Sequence, residues 1–251
     1  EKGKPVVMAI GGHVIKCGLQ PVLKSLVDAG AVTAFAMNGS VSVHDYELSL
    51  IAETSEDVGA VLHCGTFGMA EETGRDINRS LKEGVAKGLG YGESVGRFII
   101  ENRNPFADIS LLALCAERNI PATVHVAIGN DIIHQHPDAD GAVIGEASFR
   151  DFRLLTSIVS QLGDGGVYLN IGSAVILPEV FLKALSIAQN LGHHVDNFTT
   201  ANFDMQQHYR PLQNVVKRPT SGHSQGYSIT GHHEILIPLL AAGILDRMGA
   251  H

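Results

Sequence analysis

Cysteine is scarce: the 251 residues carry three, Cys17, Cys64 and Cys115, odd in number and far apart. They match no disulfide framework and no zinc-ligand spacing, and a reducing cytoplasm is the expected location. Basic side chains are also few, 18 Lys and Arg against 26 Asp and Glu, giving a formal charge of −8. No broad basic surface remains to neutralise phosphates, so nucleic acid is not an expected partner. No apolar run approaches the roughly 18 residues that a spanning helix needs, and the Glu1-Lys2-Gly3-Lys4-Pro5 start lacks a signal-peptide core, so no membrane association is expected. The chain starts without Met and enters a strand at once, from which a missing upstream segment is expected. Several chemical signatures are absent too. There is no GxGxxG after the first strand, no P-loop, no HExxH and no GxSxG elbow, which leaves the ordinary dinucleotide, nucleotide, zinc-hydrolase and serine-hydrolase motifs unsupported.

What is present suits one compact domain spanning residues 1–251: 45% hydrophobic residues and 28 glycines. Short β-branched runs alternate with amphipathic helical stretches, the pattern of a Rossmann-like α/β fold with a mostly parallel sheet and helices on both faces. The predicted strands are Pro5 to Ile10, Ala31 to Met37, Ala122 to Ala127, Val167 to Ile171 and Val195 to Thr199. Predicted helices cover Val14 to Ala29, Met69 to Lys87, Ile109 to Arg118, Ser148 to Leu162, Pro178 to Asn190 and Glu234 to Arg247, with Gly84 to Gly96 read as a loop. Each strand gives way to a small polar turn: Gly11-Gly12-His13, Asn38-Gly39-Ser40, Gly129-Asn130-Asp131, Gly172-Ser173-Ala174 and Thr200-Ala201-Asn202. Small residues let backbone N–H groups approach a ligand, so five such turns on one sheet edge point to a nucleotide-sized cleft.

Histidine is crowded, with 13 in the chain. Two polar clusters stand out, Asn130-Asp131-Ile132-Ile133-His134-Gln135-His136 and Thr230-Gly231-His232-His233-Glu234. One reading is a metal site from His134, His136, His232 and His233, completed by Glu234 or the His44-Asp45 pair. Another is proton transfer by His134 and His233, and a third is helix capping and backbone bonding. Lys217, at the end of the apolar run Asn214-Val215-Val216, is a candidate nucleophile because a partly desolvated lysine forms imines. Glu71 and Glu72 open a long helix, where they favour the dipole.

Taken in order, several segments resemble the deoxyhypusine synthase family. They are Gly11-Gly12-His13-Val14-Ile15-Lys16-Cys17-Gly18-Leu19, Asn38-Gly39-Ser40-Val41-Ser42-Val43-His44-Asp45, Arg118-Asn119-Ile120-Pro121, Asn197-Phe198-Thr199-Thr200-Ala201-Asn202-Phe203-Asp204 and Ile237-Pro238-Leu239-Leu240. The resemblance spans essentially the whole chain through order and spacing. It implies a Rossmann-like homotetramer or homodimer that binds NAD at subunit interfaces and oxidises a polyamine to an imine captured by a lysine. By position, Gly12, His13, Asn38, Gly39, Thr200, Ala201, Thr230 and Gly231 fall where NAD is held, Gly172 and Ser173 are further cofactor candidates from their small polar turn, and Lys217 falls close to the imine-forming lysine.

The chain also departs from that family. Its Gly-Gly-Gly run before Lys-His-His is here Ile171-Gly172-Ser173-Ala174-Val175-Ile176-Leu177-Pro178, and the tryptophan preceding the reactive lysine has no counterpart, since the chain contains no Trp. A relative with a different, amine-type substrate is therefore expected in place of authentic deoxyhypusine synthesis. On this reading Lys217 is the nucleophile or amine anchor and His134 and His233 move protons. Asp131, Asp204, Glu234, His44 and Asp45 contact the substrate.

Overall fold

The computed structural model describes residues 3–249; Glu1, Lys2 and the last two residues lie outside it. Six parallel strands form one sheet in the order β3-β2-β1-β4-β5-β6. In chain order the elements are β1 (Val6–Ile10), α1 (Gly12–Lys16), α2 (Gln20–Asp28), β2 (Ala34–Asn38), α3 (Gly39–Ile51), α4 (Val58–Val61), α5 (Glu71–Ala86), α6 (Tyr91–Glu101), α7 (Leu111–Arg118) and β3 (Ala122–His125). There follow α8 (Gly141–Val159), β4 (Val167–Ile171), α9 (Ile176–Asn190), β5 (Thr199–Asp204), α10 (Tyr209–Pro211), a π-helical turn Leu212–Lys217, β6 (Gln225–Thr230) and α11 (His233–Met248). This is the expected α/β Rossmann-like architecture. Strands buried on both faces read as unbroken apolar runs, as β1 and β2 do.

The sheet separates two cores by strict alternation. Met8, Ile10, Phe35, Met37, Val124, Leu169 and Ile171 face one, with α2, α5, α6 and α11. Val7, Ala9, Ala34, Ala36 and Tyr168 face the other, where Tyr168 stacks on Phe181 of α9 with centroids 3.8 Å apart. None of the described helices is long and apolar enough to cross a membrane.

Four sequence expectations are corrected. The predicted Val14–Ala29 helix is two helices, broken at Cys17-Gly18-Leu19 where Gly18 takes φ +69° and Pro21 restarts the chain in the first turn of α2. Residues 84–96 are mostly helical, and their glycines serve close packing: a Cβ on Gly92 or Gly96 would overlap the carbonyl oxygens of Ala122 or Leu112. The fifth strand begins at Thr199, where the sequence expectation ends it, because Asn197 turns back at φ +57° and Asp196 is tied to the amide of His223 and the hydroxyl of Ser224. A sixth strand, Gln225-Gly226-Tyr227-Ser228-Ile229-Thr230, has no apolar signature because it is a mostly exposed sheet edge.

Candidate active site

The chain reverses direction across the sheet between β1 and β4, and the crevice beyond their C-terminal ends is where open α/β sheets bind ligands. Its floor is backbone. Gly11 donates to Ile171 O at 2.9 Å and Gly172 to Phe203 O at 3.0 Å, and a Cβ on Gly11 would overlap the Gly172 carbonyl oxygen. Beneath it, the Asn170 amide bridges Ser173 O (2.9 Å) and Asn202 Oδ1 (2.7 Å), and Asn202 in turn donates to Gln207 (2.7 Å). This buried polar seam fixes the two strand ends relative to each other.

Of the expected cofactor turns, Gly12 and His13 open α1, Gly172 and Ser173 follow β4, and Thr230 and Gly231 end β6, all at this edge. Ser173 is buried and its hydroxyl accepts from Leu177 N, so its side chain holds the start of α9. Asn38 likewise caps α3, accepting from Val41 N and Ser40 Oγ. Thr200 and Ala201 are a correction. They lie inside β5, buried, with the Thr200 hydroxyl bonded to Val215 O, and the strand exits only at Asp204.

His233 is the first residue of α11 and is buried against the crevice floor; its Nε2 sits 2.7 Å from where a Cβ on Gly172 would be, and its Nδ1 has no partner. Burial holds its pKa below the ordinary imidazole range, opposed by the charge of buried Asp204. The His13 ring is tilted over it at 6.0 Å between centroids. Glu234, the next residue, is exposed.

A second hollow of about 260 Å³ opens beside β2 and β3, lined by Lys16, Ser40, His44, Glu47, Asn130 and Asp131. A Cβ on Gly12 would run into Ser40 Oγ and His44, so the first crevice wall packs directly against this hollow. Asp131 is 6% exposed, its Oδ2 has no partner, and that oxygen packs against Gly39 so closely that a Cβ there would overlap it. Burial raises the Asp131 pKa, and His134 opposes the rise. His44 Nδ1 pairs with Thr54 Oγ1 at 2.7 Å.

His134 is committed elsewhere than expected. Its Nδ1 accepts from Gly129 N (3.2 Å) and Asp131 N (3.3 Å), which holds the turn after β3 and puts the neutral ring's proton on the buried, unpartnered Nε2. His136 is taken by Glu71 at 3.2 Å and by Asp138 N. The two histidine clusters do not converge: among the described residues, the metal-competent group of donors lying within 4.8 Å of one another is His13, Cys17 and Glu234, without His134, His136, His232 or His233. Cys17 was not expected at a site; its four-residue separation from His13 becomes informative once that segment is helical.

Asp45 is a further correction. It is fully buried and accepts from Ser110 Oγ (2.6 Å), Leu111 N (2.8 Å) and Leu112 N (3.0 Å), so it caps α7 and reaches no cleft. Lys217 is exposed at the end of the crossover from β5 to β6. Its neighbour Val216 presses its carbonyl against Gly226, opposite Thr200, which places Lys217 toward the N-terminal edge of the sheet, away from His233.

No family model matches the sequence, and no curated protein is significantly similar to it. Solved structures share the fold. AgrE, in a ternary complex with ornithine and NAD+, superposes with a TM-score of 0.57 at 16% identity over 98% of this chain and 30% of that one. A conserved LOR/SDH protein from Methanococcus maripaludis S2 gives 0.56 at 15% identity over 98% and 63%. A deoxyhypusine synthase homologue from Entamoeba histolytica gives 0.53 at 11% identity over 95% and 73%. The chain thus spans less than two thirds of the length of the first two.

Proposed function

We propose that this chain is the NAD-binding domain of an enzyme that oxidises an amine-type substrate, a single domain acting in a homotetramer or homodimer of the cytoplasm. The observation that carries the reading is the side-chain-free backbone packing of Gly11 against Gly172 at the switch point, where a Cβ on Gly11 would collide with the Gly172 carbonyl oxygen. Such a floor fits a dinucleotide, with Gly12, His13, Asn38, Gly39, Thr230 and Gly231 around it. The fold shared with the AgrE complex, which holds ornithine and NAD+, supports the same ligand pair. NAD would supply the hydride acceptor.

The chain's own residues would do the rest. The buried, partnerless Asp131 Oδ2 would hold a cationic substrate nitrogen, with Glu47 adding negative charge and His44 a polar contact along the same hollow. His233 would take the proton that the ammonium loses, while the hydride leaves the amine-bearing carbon, so that an iminium product remains. Exposed Ile235 and Leu239, one turn apart on α11, offer an apolar strip for a second copy.

Calorimetric titration with NAD+ tests the reading, followed by turnover assays on diamines and diamino acids read by NADH absorbance. Binding with turnover supports it. No binding at millimolar NAD+ overturns it, and binding without turnover across the panel leaves a ligand-binding homologue.

A further inference from the structure

His13 lies in α1 and Cys17, four residues on, is the residue that caps its C-terminal end, the two joined by the Cys17 N to His13 O hydrogen bond at 2.9 Å. Glu234 comes from the other end of the chain, in the first turn of α11, and meets them at the lip of the crevice. An imidazole nitrogen, a thiol sulfur and a carboxylate oxygen, one from each, lie within 4.8 Å of one another. Three donors around a tetrahedral zinc ion sit about 3.3–3.8 Å apart, given Zn–S near 2.3 Å and Zn–N near 2.0 Å. Small rotamer changes of His13 and Glu234, both exposed, close that difference.

We infer that His13, Cys17 and Glu234 bind one divalent transition metal of the zinc class, leaving the fourth tetrahedral position to water or to a ligand in the crevice. The donor set selects the metal. Thiolate and imidazole favour zinc or cobalt over the oxygen-seeking magnesium and calcium, and three protein ligands with one open position is the arrangement of catalytic zinc. The Glu234 carboxylate and the Cys17 thiol both bind such an ion in their deprotonated forms, so the thiol gives up its proton when the ion binds. The ion would lie beside His13 and the buried His233 ring.

The test needs no nucleotide, so its failure and that of the NAD reading are separate results. Chelator-treated protein is titrated with Zn²⁺ and with Co²⁺. One equivalent should bind, with a near-ultraviolet thiolate-to-cobalt band and the intense visible bands of a tetrahedral ion. Cys17→Ser should abolish the near-ultraviolet band, and His13→Ala and Glu234→Gln should each weaken Zn²⁺ binding at least tenfold while the far-ultraviolet circular dichroism is kept. Wild-type binding below one equivalent, or an unchanged cobalt spectrum in Cys17→Ser, overturns the site. A second measurement works on the unmutated chain: Zn²⁺ should slow alkylation of Cys17 at least tenfold and leave exposed Cys64 unprotected. Equal alkylation of Cys17 with and without the ion would also overturn it.

Discussion

Gly11 and Gly172 cross so closely at the β1/β4 switch point that the carbonyl oxygen of one occupies the space a side chain on the other would need. Because the obstructing atom is backbone, no rotamer change relieves it. Gly11→Ala should cost about 1–3 kcal/mol by urea unfolding, the range for overpacking a tight site. The part of the variant that remains folded should lose NAD+ affinity at least tenfold. Unchanged stability and affinity together would show that the floor is not the dinucleotide site proposed.

The legibility of the chain follows from where its strands lie. β1 and β4 are readable because Val6–Ile10 and Val167–Ile171 are central strands, and β4 carries only one polar residue, Asn170, which is paired internally. β5 is not, because its polar residues are satisfied by partners that only the fold supplies, Thr200 by Val215 O and Asn202 by Asn170 and Gln207, and β6 is not because it is a mostly exposed edge. A polar residue with a tertiary partner looks the same in sequence as one in a loop. The site shows the same division. Asp131 and His233 are visible as members of polar clusters, whereas His134 resembles a free imidazole until the amides of Gly129 and Asp131 are seen to occupy it.

Asp45 is an interior cap, and its removal should act on stability alone. Its carboxylate satisfies two amides and one hydroxyl at the start of α7. Asp45→Ala leaves those amides buried without acceptors, at a cost of about 2–4 kcal/mol. NAD+ affinity of the folded fraction should stay within twofold. A large loss of affinity with unaltered unfolding would return Asp45 to the ligand site.

Lys217 is exposed and lies away from the switch point. Lys217→Ala should therefore leave kcat/KM within about threefold, and borohydride should trap no substrate on this residue. A loss of a hundredfold or more, or a trapped adduct at Lys217, would restore the covalent route and require a second subunit to bring this edge to the crevice.

Asp131 carries a partnerless oxygen in a buried position, an arrangement that costs stability unless a cation is bound. Asp131→Asn should keep or raise the unfolding midpoint while weakening binding of the amine at least tenfold, with NAD+ affinity retained. Equal loss of amine and NAD+ binding would make Asp131 a support of the β2/β3 turns and not an anchor for substrate.

Asp151, in α8, accepts from Val124 N at 2.7 Å and Gly92 N at 2.9 Å with both oxygens out of water. Burial nevertheless dominates, pushing its carboxyl up to about 7. An unfolded aspartate titrates near 3.9, so between about pH 4 and pH 7 the folded chain holds a proton that the unfolded chain has released. The slope of stability with pH follows the protons bound unfolded minus those bound folded, which is negative here. Asp151 thus contributes a loss of stability as pH rises through that window. Asp151→Asn cannot ionise, and its carbonyl can still accept from Val124 and Gly92. Its stability relative to the parent chain should therefore improve from pH 4.5 to pH 7.5 in urea unfolding. Parallel curves for the two proteins would mean that the amide donors outweigh burial and that Asp151 is ionised throughout.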